Sequence, residues 1–196
     1  MRPPSRTLGV AFSDGDSVSR VAGAVVRRDM TLDGLRFGSC TVGGTDATDA
    51  VIELVADRED VRHLALAGVA PAWFNMLDLD RLHSAVERPV YAVSYESSPG
   101  LEPAVREAFD GEQLHTRLAT YRSLPQRHRV GEVVGDGVAD HVADATPLFV
   151  RAVGIDVDDA AAAAAALVRE GFRRPEPLRI ASLAANAHRA ALPDDA

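Results

Sequence analysis

Carboxylates, arginines and one aromatic loop are the parts of this 196-residue sequence with the chemistry to hold a ligand. Asp14, Asp46 and Glu96 each follow an apolar run or precede a helix-like one, and Asp78 lies in a similar place. Acids gathered at one sheet edge would hold Mg²⁺ or Mn²⁺, hard ions that take oxygen ligands and activate water against phosphate. No two of them are close enough in the chain to force proximity. The simpler alternative makes Asp14 and Asp16 a turn, Asp46 and Asp78 helix caps, and Glu96 a solvated side chain. Arg173, Arg174 and Arg179 flank Pro175-Glu176-Pro177 and would suit phosphate, or would pair with the chain's own acids. Trp73-Phe74-Asn75 follows a buried strand, where ligands of α/β sheets bind. Trp73 would either stack on a base or wedge its loop against the core. Gly43-Gly44-Thr45-Asp46 could cradle a phosphate at a helix start, but Asp46 would occupy the anion position, which favours a turn plus cap. The six histidines show no ligand spacing, and the single Cys40 excludes an internal disulfide and a cysteine-based zinc cage.

The elements that must position these groups are legible from hydrophobic period. Thr7–Phe12, Val18–Arg28 and Thr31–Val42 alternate or run apolar between short turns and predict three antiparallel strands. Ala47, Ala50, Val51, Leu54 and Val55 sit at helical spacing. His63–Val69 is a continuous apolar run, as in a parallel strand buried on both faces, and Pro89–Ser94 is another. Helices are predicted at 78–86, after Pro99-Gly100, and through Leu114, Leu118 and Tyr121. Residues 123–147 are polar and predict a loop or hairpin excursion. Leu148–Gly154 predicts a strand, Val157–Glu170 a helix and Leu178–Arg189 a terminal helix. The order β-β-β-α-β-α-β-α is that of a ribonuclease H-like mixed sheet, with a C-terminal strand and helices added. Residues 1–196 read as a single α/β domain.

All 21 basic residues are Arg, and 29 acids give a net charge of −8. A Lys-free, Asp-rich and Ala-rich chain is what a salt-rich cytoplasm would select, and codon bias from a GC-rich genome is the alternative. The charge argues against a broad, sequence-blind nucleic-acid footprint but leaves room for a local Arg patch. No run of about 18 apolar residues predicts a membrane span, and the N-terminal residues lead into a strand, so the expected location is cytoplasmic. If the composition reflects halophily, the melting temperature rises between low and molar KCl. Screening relieves acidic self-repulsion and excluded salt favours burial. A flat or falling Tm in a calorimetric salt series would refute that adaptation.

Several segments together resemble an archaeal family of endonuclease V-like proteins of unknown function, domain of unknown function ninety-nine. They are Leu8-Gly9-Val10, Gly43-Gly44-Thr45-Asp46-Ala47-Thr48, Gly68 with Phe74-Asn75 and Asp78, and Pro175-Glu176-Pro177-Leu178-Arg179. The resemblance spans nearly the whole chain and implies a ribonuclease H-like fold. Nucleases of the endonuclease V type hold their metal with acids from the first strand, the start of the first helix and the end of the fourth strand. Here the first-strand stretch reads Val10-Ala11-Phe12 and the fourth-strand motif reads Ala67-Gly68, where the family carries acids. Asp46 alone remains.

Three readings follow. The first is a non-catalytic or weakly catalytic endonuclease V-like protein that binds nucleic acid or a nucleotide. Its crevice would lie between the fourth-strand loop and the C-terminal motif, with Trp73, Asn75, Arg174 and Arg179 as binding candidates. The second is a Mg²⁺- or Mn²⁺-dependent endonuclease using displaced Asp14, Asp46 and Glu96. The third is a protein-interaction module. An Arg-lined groove would favour the first, and convergence of the three acids the second. An apolar patch around Trp73 would favour the third.

Overall fold

The structure is a computed structural model that describes residues 5–133 and 147–192. Among the described residues one seven-stranded sheet runs in the order Leu32–Thr41, Val18–Arg27, Arg6–Asp14, Val61–Ala67, Val90–Ser94, Phe149–Val153, His128–Arg129. The meander is β1 (Arg6–Asp14), β2 (Val18–Arg27) and β3 (Leu32–Thr41). Its hairpins pair antiparallel, because their turns are too short for a crossover. Helix α1 (Ala47–Val55) carries the chain over to β4 (Val61–Ala67), which pairs parallel with β1. Strand β4 is thus the middle strand of the seven, and its unbroken apolar run reflects cover on both faces.

A short turn at Pro71–Phe74 and helix α2 (Leu79–Val86) lead to β5 (Val90–Ser94), parallel to β4. Helices α3 (Glu102–Ala108) and α4 (Gly111–Ser123) follow, then β6 (His128–Arg129) and the one-turn α5 (Val130–Val133). The sheet closes with β7 (Phe149–Val153), antiparallel to both β5 and β6. Helices α6 (Val157–Ala166) and α7 (Glu176–Ala191) complete the chain.

Both faces of β1 are buried. Leu8 and Val10 join the core under α1 and α2, while Ala11 joins a smaller cluster beneath α7. Cys40 sits in the larger core, where burial first, then the charges of Asp46 and Asp14, push its thiol pKa up to about 12. It is a packed strand residue, not a reactive thiol.

Two expectations are corrected. The polar segment expected as a loop or hairpin contributes β6, whose two residues pair with Val150 and Phe149; 134–146 lie outside the described residues. The helix expected through Glu170 ends at Ala166, because the chain folds back there. Val168 bridges Pro175, and Glu176 N–H donates to the Leu167 carbonyl at 2.7 Å. That return delivers the Pro-Glu-Pro segment to β1. Among the described residues, no helix is long and apolar enough to cross a membrane.

Candidate functional site

Strands β1 and β4 run parallel with Val10 opposite Leu66, so their C-terminal ends open on the same side of the sheet. The first turn of α7 lies directly on β1. A Cβ on Gly9 would come within 2.4 Å of the Pro177 backbone, so only glycine permits this approach. Glu176 is buried there. Arg179 grips its carboxylate at 2.7 and 2.8 Å and Arg169 at 3.2 Å. The hydrogen bonds from Arg179 hold that carboxyl below its ordinary pKa. Arg179, expected at a phosphate, is committed to Glu176 and lies over the Phe172 ring. Beyond that turn, Ala181 packs on Ala11, Ala24 and Val26, and Ile180 and Ala67 pack against the same cluster.

The acids expected at a displaced metal site form no metal-holding group among the described residues, and Asp14 and Asp46 take local hydrogen-bonding roles. Asp14 accepts a hydrogen bond from Ser19 Oγ at 2.6 Å. Asp46 stands at the start of α1, but its carboxylate turns away from the helix. It accepts from Thr41 N–H at 3.1 Å, Thr41 Oγ1 at 2.9 Å and Asn75 Nδ2 at 2.7 Å. Burial raises the Asp46 pKa, and the bonds from Asn75 and Thr41 outweigh it, leaving the carboxyl below its ordinary value. The expected Asp46 cap is therefore supplied by Asn75, whose Oδ1 accepts from Ala47 N–H at 2.9 Å. The same bond occupies a donor that a phosphate cradle at Gly43-Gly44-Thr45-Asp46 would need. Asn75 is itself fully buried, so it braces α1 and has no exposed edge for a ligand. Asp78 does cap α2, accepting from Arg81 N–H at 2.9 Å. Glu96 lies at the rim of the cleft described below.

Between β4 and α2 the chain makes a left-handed turn. Ala72, Trp73 and Phe74 have φ of 48°, 54° and 59°. For residues with a Cβ this conformation costs roughly 1–2 kcal/mol each. The turn persists because its neighbours hold it. Gly43 N–H donates to the Ala72 carbonyl at 2.7 Å and Asn75 N–H to that of Pro71 at 2.9 Å. Arg117, only 3% exposed, donates to the carbonyls of Phe74 at 3.1 Å, Gln113 at 3.2 Å and Gly44 at 3.2 Å, and also to that of Gly43. Its guanidinium lies 3.8 Å above the Phe109 ring, which meets Phe74 edge-on. The outcome is a Trp73 that is 59% exposed, so it does not wedge its loop against the core.

A cleft of about 440 Å³ opens at the C-terminal ends of β4 and β5. Ala67, Gly68 and Val93 form its floor, Phe74, Leu101, Tyr95 and Tyr121 its walls, and Arg127, Arg151 and Arg174 its charged side. Arg127 donates to the carbonyls of Glu96 at 3.2 Å and Ser98 at 2.8 Å and stacks over Phe149. Arg151 donates to the Pro125 carbonyl and faces the Tyr121 ring. Burial, and then the Arg127 charge, depress the Arg151 pKa. Arg174 lies over the Tyr95 ring at 5.0 Å. The Tyr95 hydroxyl is buried without a partner among the described residues, and burial raises its pKa. No carboxylate among the described residues forms an ion pair with these three arginines. Guanidinium groups that form no ion pair among the described residues, between aromatic walls and with the Glu96 carboxylate at the rim, suit an anion carrying a flat ring. Of the expected binding residues only Arg174 is here. Arg127 and Arg151 were missed, although an Arg in the otherwise apolar strand Phe149–Val153 is the anomaly that marks Arg151.

The sequence matches the family described as endonuclease dU over residues 4–189. The chain belongs to the endonuclease dU family. It is 32% identical over 183 residues to a UPF0215 protein of Pyrobaculum calidifontis, covering 91% of this chain and 93% of that one. A UPF0215 protein of Thermococcus kodakarensis is 32% identical over 201 residues, covering 95% and 93%. Among solved structures, a protein of unknown function from Archaeoglobus fulgidus superposes with a TM-score of 0.79 at 24% identity, covering 94% of this chain and 98% of that one. Human ENDOV gives 0.61 at 15% identity, covering 96% and 87%. An endonuclease V from Ciona intestinalis, in complex with inosine-containing DNA, gives 0.61 at 12% identity, covering 96% and 87%. These likenesses establish the ribonuclease H-like fold of this endonuclease dU family member.

The metal that the endonuclease V resemblance implies does not fit the residues present in this family member. The stretches where the resemblance expects first-strand and fourth-strand ligands read Val10-Ala11-Phe12 and Ala67, and Ala11 and Ala67 share an apolar cluster with Ile180 and Ala181. Methyl groups offer a hard dication no oxygen. Among the described residues no group of three or more His, Cys, Asp or Glu is placed to hold a metal.

Proposed function

We propose that this protein binds nucleic acid or a nucleotide in the arginine cleft and does not cut it by the metal-dependent route. The observation that carries the reading is the pair Arg127 and Arg151. Two repelling cations line one cleft without a carboxylate partner among the described residues, in a chain with 29 acids and a net charge of −8. So acidic a chain has carboxylates to spare for such a pair, yet among the lining residues Glu96 is the one carboxylate and it forms no ion pair with either arginine, an arrangement that favours an external anion. The apolar cluster of Ala11, Ala67, Ile180 and Ala181 supports the second half of the reading. The family description and the Ciona complex indicate the first ligands to try, deoxyuridine- and inosine-containing DNA.

The test is fluorescence anisotropy with end-labelled oligonucleotides at modest KCl, since phosphate contacts weaken steeply with salt. Arg127→Gln and Arg151→Gln each remove one charge-assisted contact. Each is expected to weaken binding about tenfold or more, from roughly 1.5–3 kcal/mol per contact. Affinity unchanged in both variants would refute the cleft as the binding site.

A further inference from the structure

Resting on that reading, we infer that Trp73 is a stacking platform for an unpaired base, so the ligand is single-stranded nucleic acid rather than a duplex or free nucleotide. The backbone beneath Trp73 is strained at three successive residues, and the strain is held by a buried arginine and a buried asparagine. A core role would turn the indole inward. Instead Ala72 faces the core and the largest side chain of the turn faces solvent. Persistent strain that presents one exposed group is the mark of a ligand contact.

The position suits the cleft. Phe74 lines it, and the Trp73 and Phe74 ring centroids are 5.5 Å apart at 64°. A strand with one nucleotide seated among the arginines would carry its neighbour past Phe74 onto the indole. Stacking on an aromatic face tolerates any base, but it needs a base whose own face is free. Duplex bases are stacked and paired, and a lone nucleotide seated in the cleft leaves nothing to reach Trp73. An acidic surface also opposes the long phosphate track that a duplex presents.

Trp73 is the chain's single tryptophan, so intrinsic emission reports this site alone. The experiment titrates the full chain with a labelled oligothymidylate, a duplex of equal length and thymidine monophosphate, following anisotropy and Trp73 emission together. The expected result is single-strand binding with quenched or shifted emission and weaker duplex binding. Any nucleotide binding should leave emission unchanged. Trp73→Ala should weaken single-strand binding about tenfold and Trp73→Phe much less. Trp73→Gly should also bind weakly while its Tm stays level or rises, because glycine accepts the left-handed backbone. Single-strand binding that is lost in Arg151→Gln but unaltered in Trp73→Ala, with silent wild-type emission, would overturn the platform and leave the cleft reading standing. Equal duplex affinity would overturn it too. Absence of binding by every probe would remove both. If the substituted chains fail to fold, silent emission on binding by the wild type still overturns the platform.

Discussion

Ala11→Asp is expected to destabilise the protein by roughly 3 kcal/mol or more, and Mg²⁺ is expected not to restore the loss. Ala11 is 1% exposed and packed on Ala24, Val26 and Ala181. A carboxylate placed there loses its hydration and meets no cation, since Arg179 and Arg169 are already held by Glu176. In a chain with a working metal site the same acid would be stabilised by the ion. Urea unfolding with and without Mg²⁺ measures the difference, and a large Mg²⁺-dependent recovery would show a latent site. By the same reasoning the wild type should leave deoxyuridine- and inosine-containing single strands intact with Mg²⁺ or Mn²⁺ in high KCl. A lone carboxylate leaves the ion hydrated and gives the attacking water no fixed position. Cleavage that vanished in Glu96→Gln or Asp14→Asn would establish the displaced-acid alternative instead.

Arg117→Ala should cost roughly 3 kcal/mol, with Arg117→Lys recovering little of it. The guanidinium reaches the carbonyls of Phe74, Gly43, Gly44 and Gln113 at once, and its flat face covers Phe109. A lysine ammonium is a compact point charge and cannot bridge so many acceptors or stack as a plane. Truncation leaves half-buried carbonyls unpaired at two turns and removes the brace that holds Ala72, Trp73 and Phe74 left-handed. Denaturant unfolding gives the stability change, and the Trp73 emission maximum reports relaxation of the turn. A loss below about 1 kcal/mol with unaltered emission would mean that other contacts secure the turn.

Much of the fold was readable because its signals are local. The alternation of Leu35, Phe37 and Ser39 against Arg36, Gly38 and Cys40 marked β3 as a strand but not its inner face, since Leu35 and Phe37 are exposed and Cys40 is buried. The unbroken run from His63 marked the central strand, and the spacing of Ala47, Val51 and Leu54 marked α1. Ala11, Phe12 and Ala67 stand where the family resemblance expects acids. Strand β6 carried no such signal, since two residues cannot show a period and its pairing depends on β7.

The site was less legible because its contacts join distant parts of the chain. That Asn75 rather than Asp46 caps α1 follows from a bond between residues 28 apart. The left-handed turn has no glycine or asparagine at Ala72, Trp73 or Phe74 to announce it, and it exists only because Arg117 and Gly43 reach it from elsewhere. Composition and period determined a two-sided mixed sheet and an acidic chain, and the family resemblance implied an incomplete set of metal ligands. The tertiary structure decided that Ile180 and Ala181 would share one apolar cluster with Ala11 and Ala67. It also decided that Arg127, Arg151 and Arg174 would share one cleft and that Trp73 would face outward beside it. Period reports that an element has two faces, whereas which face is covered and how separate elements converge depend on packing between residues far apart in the chain.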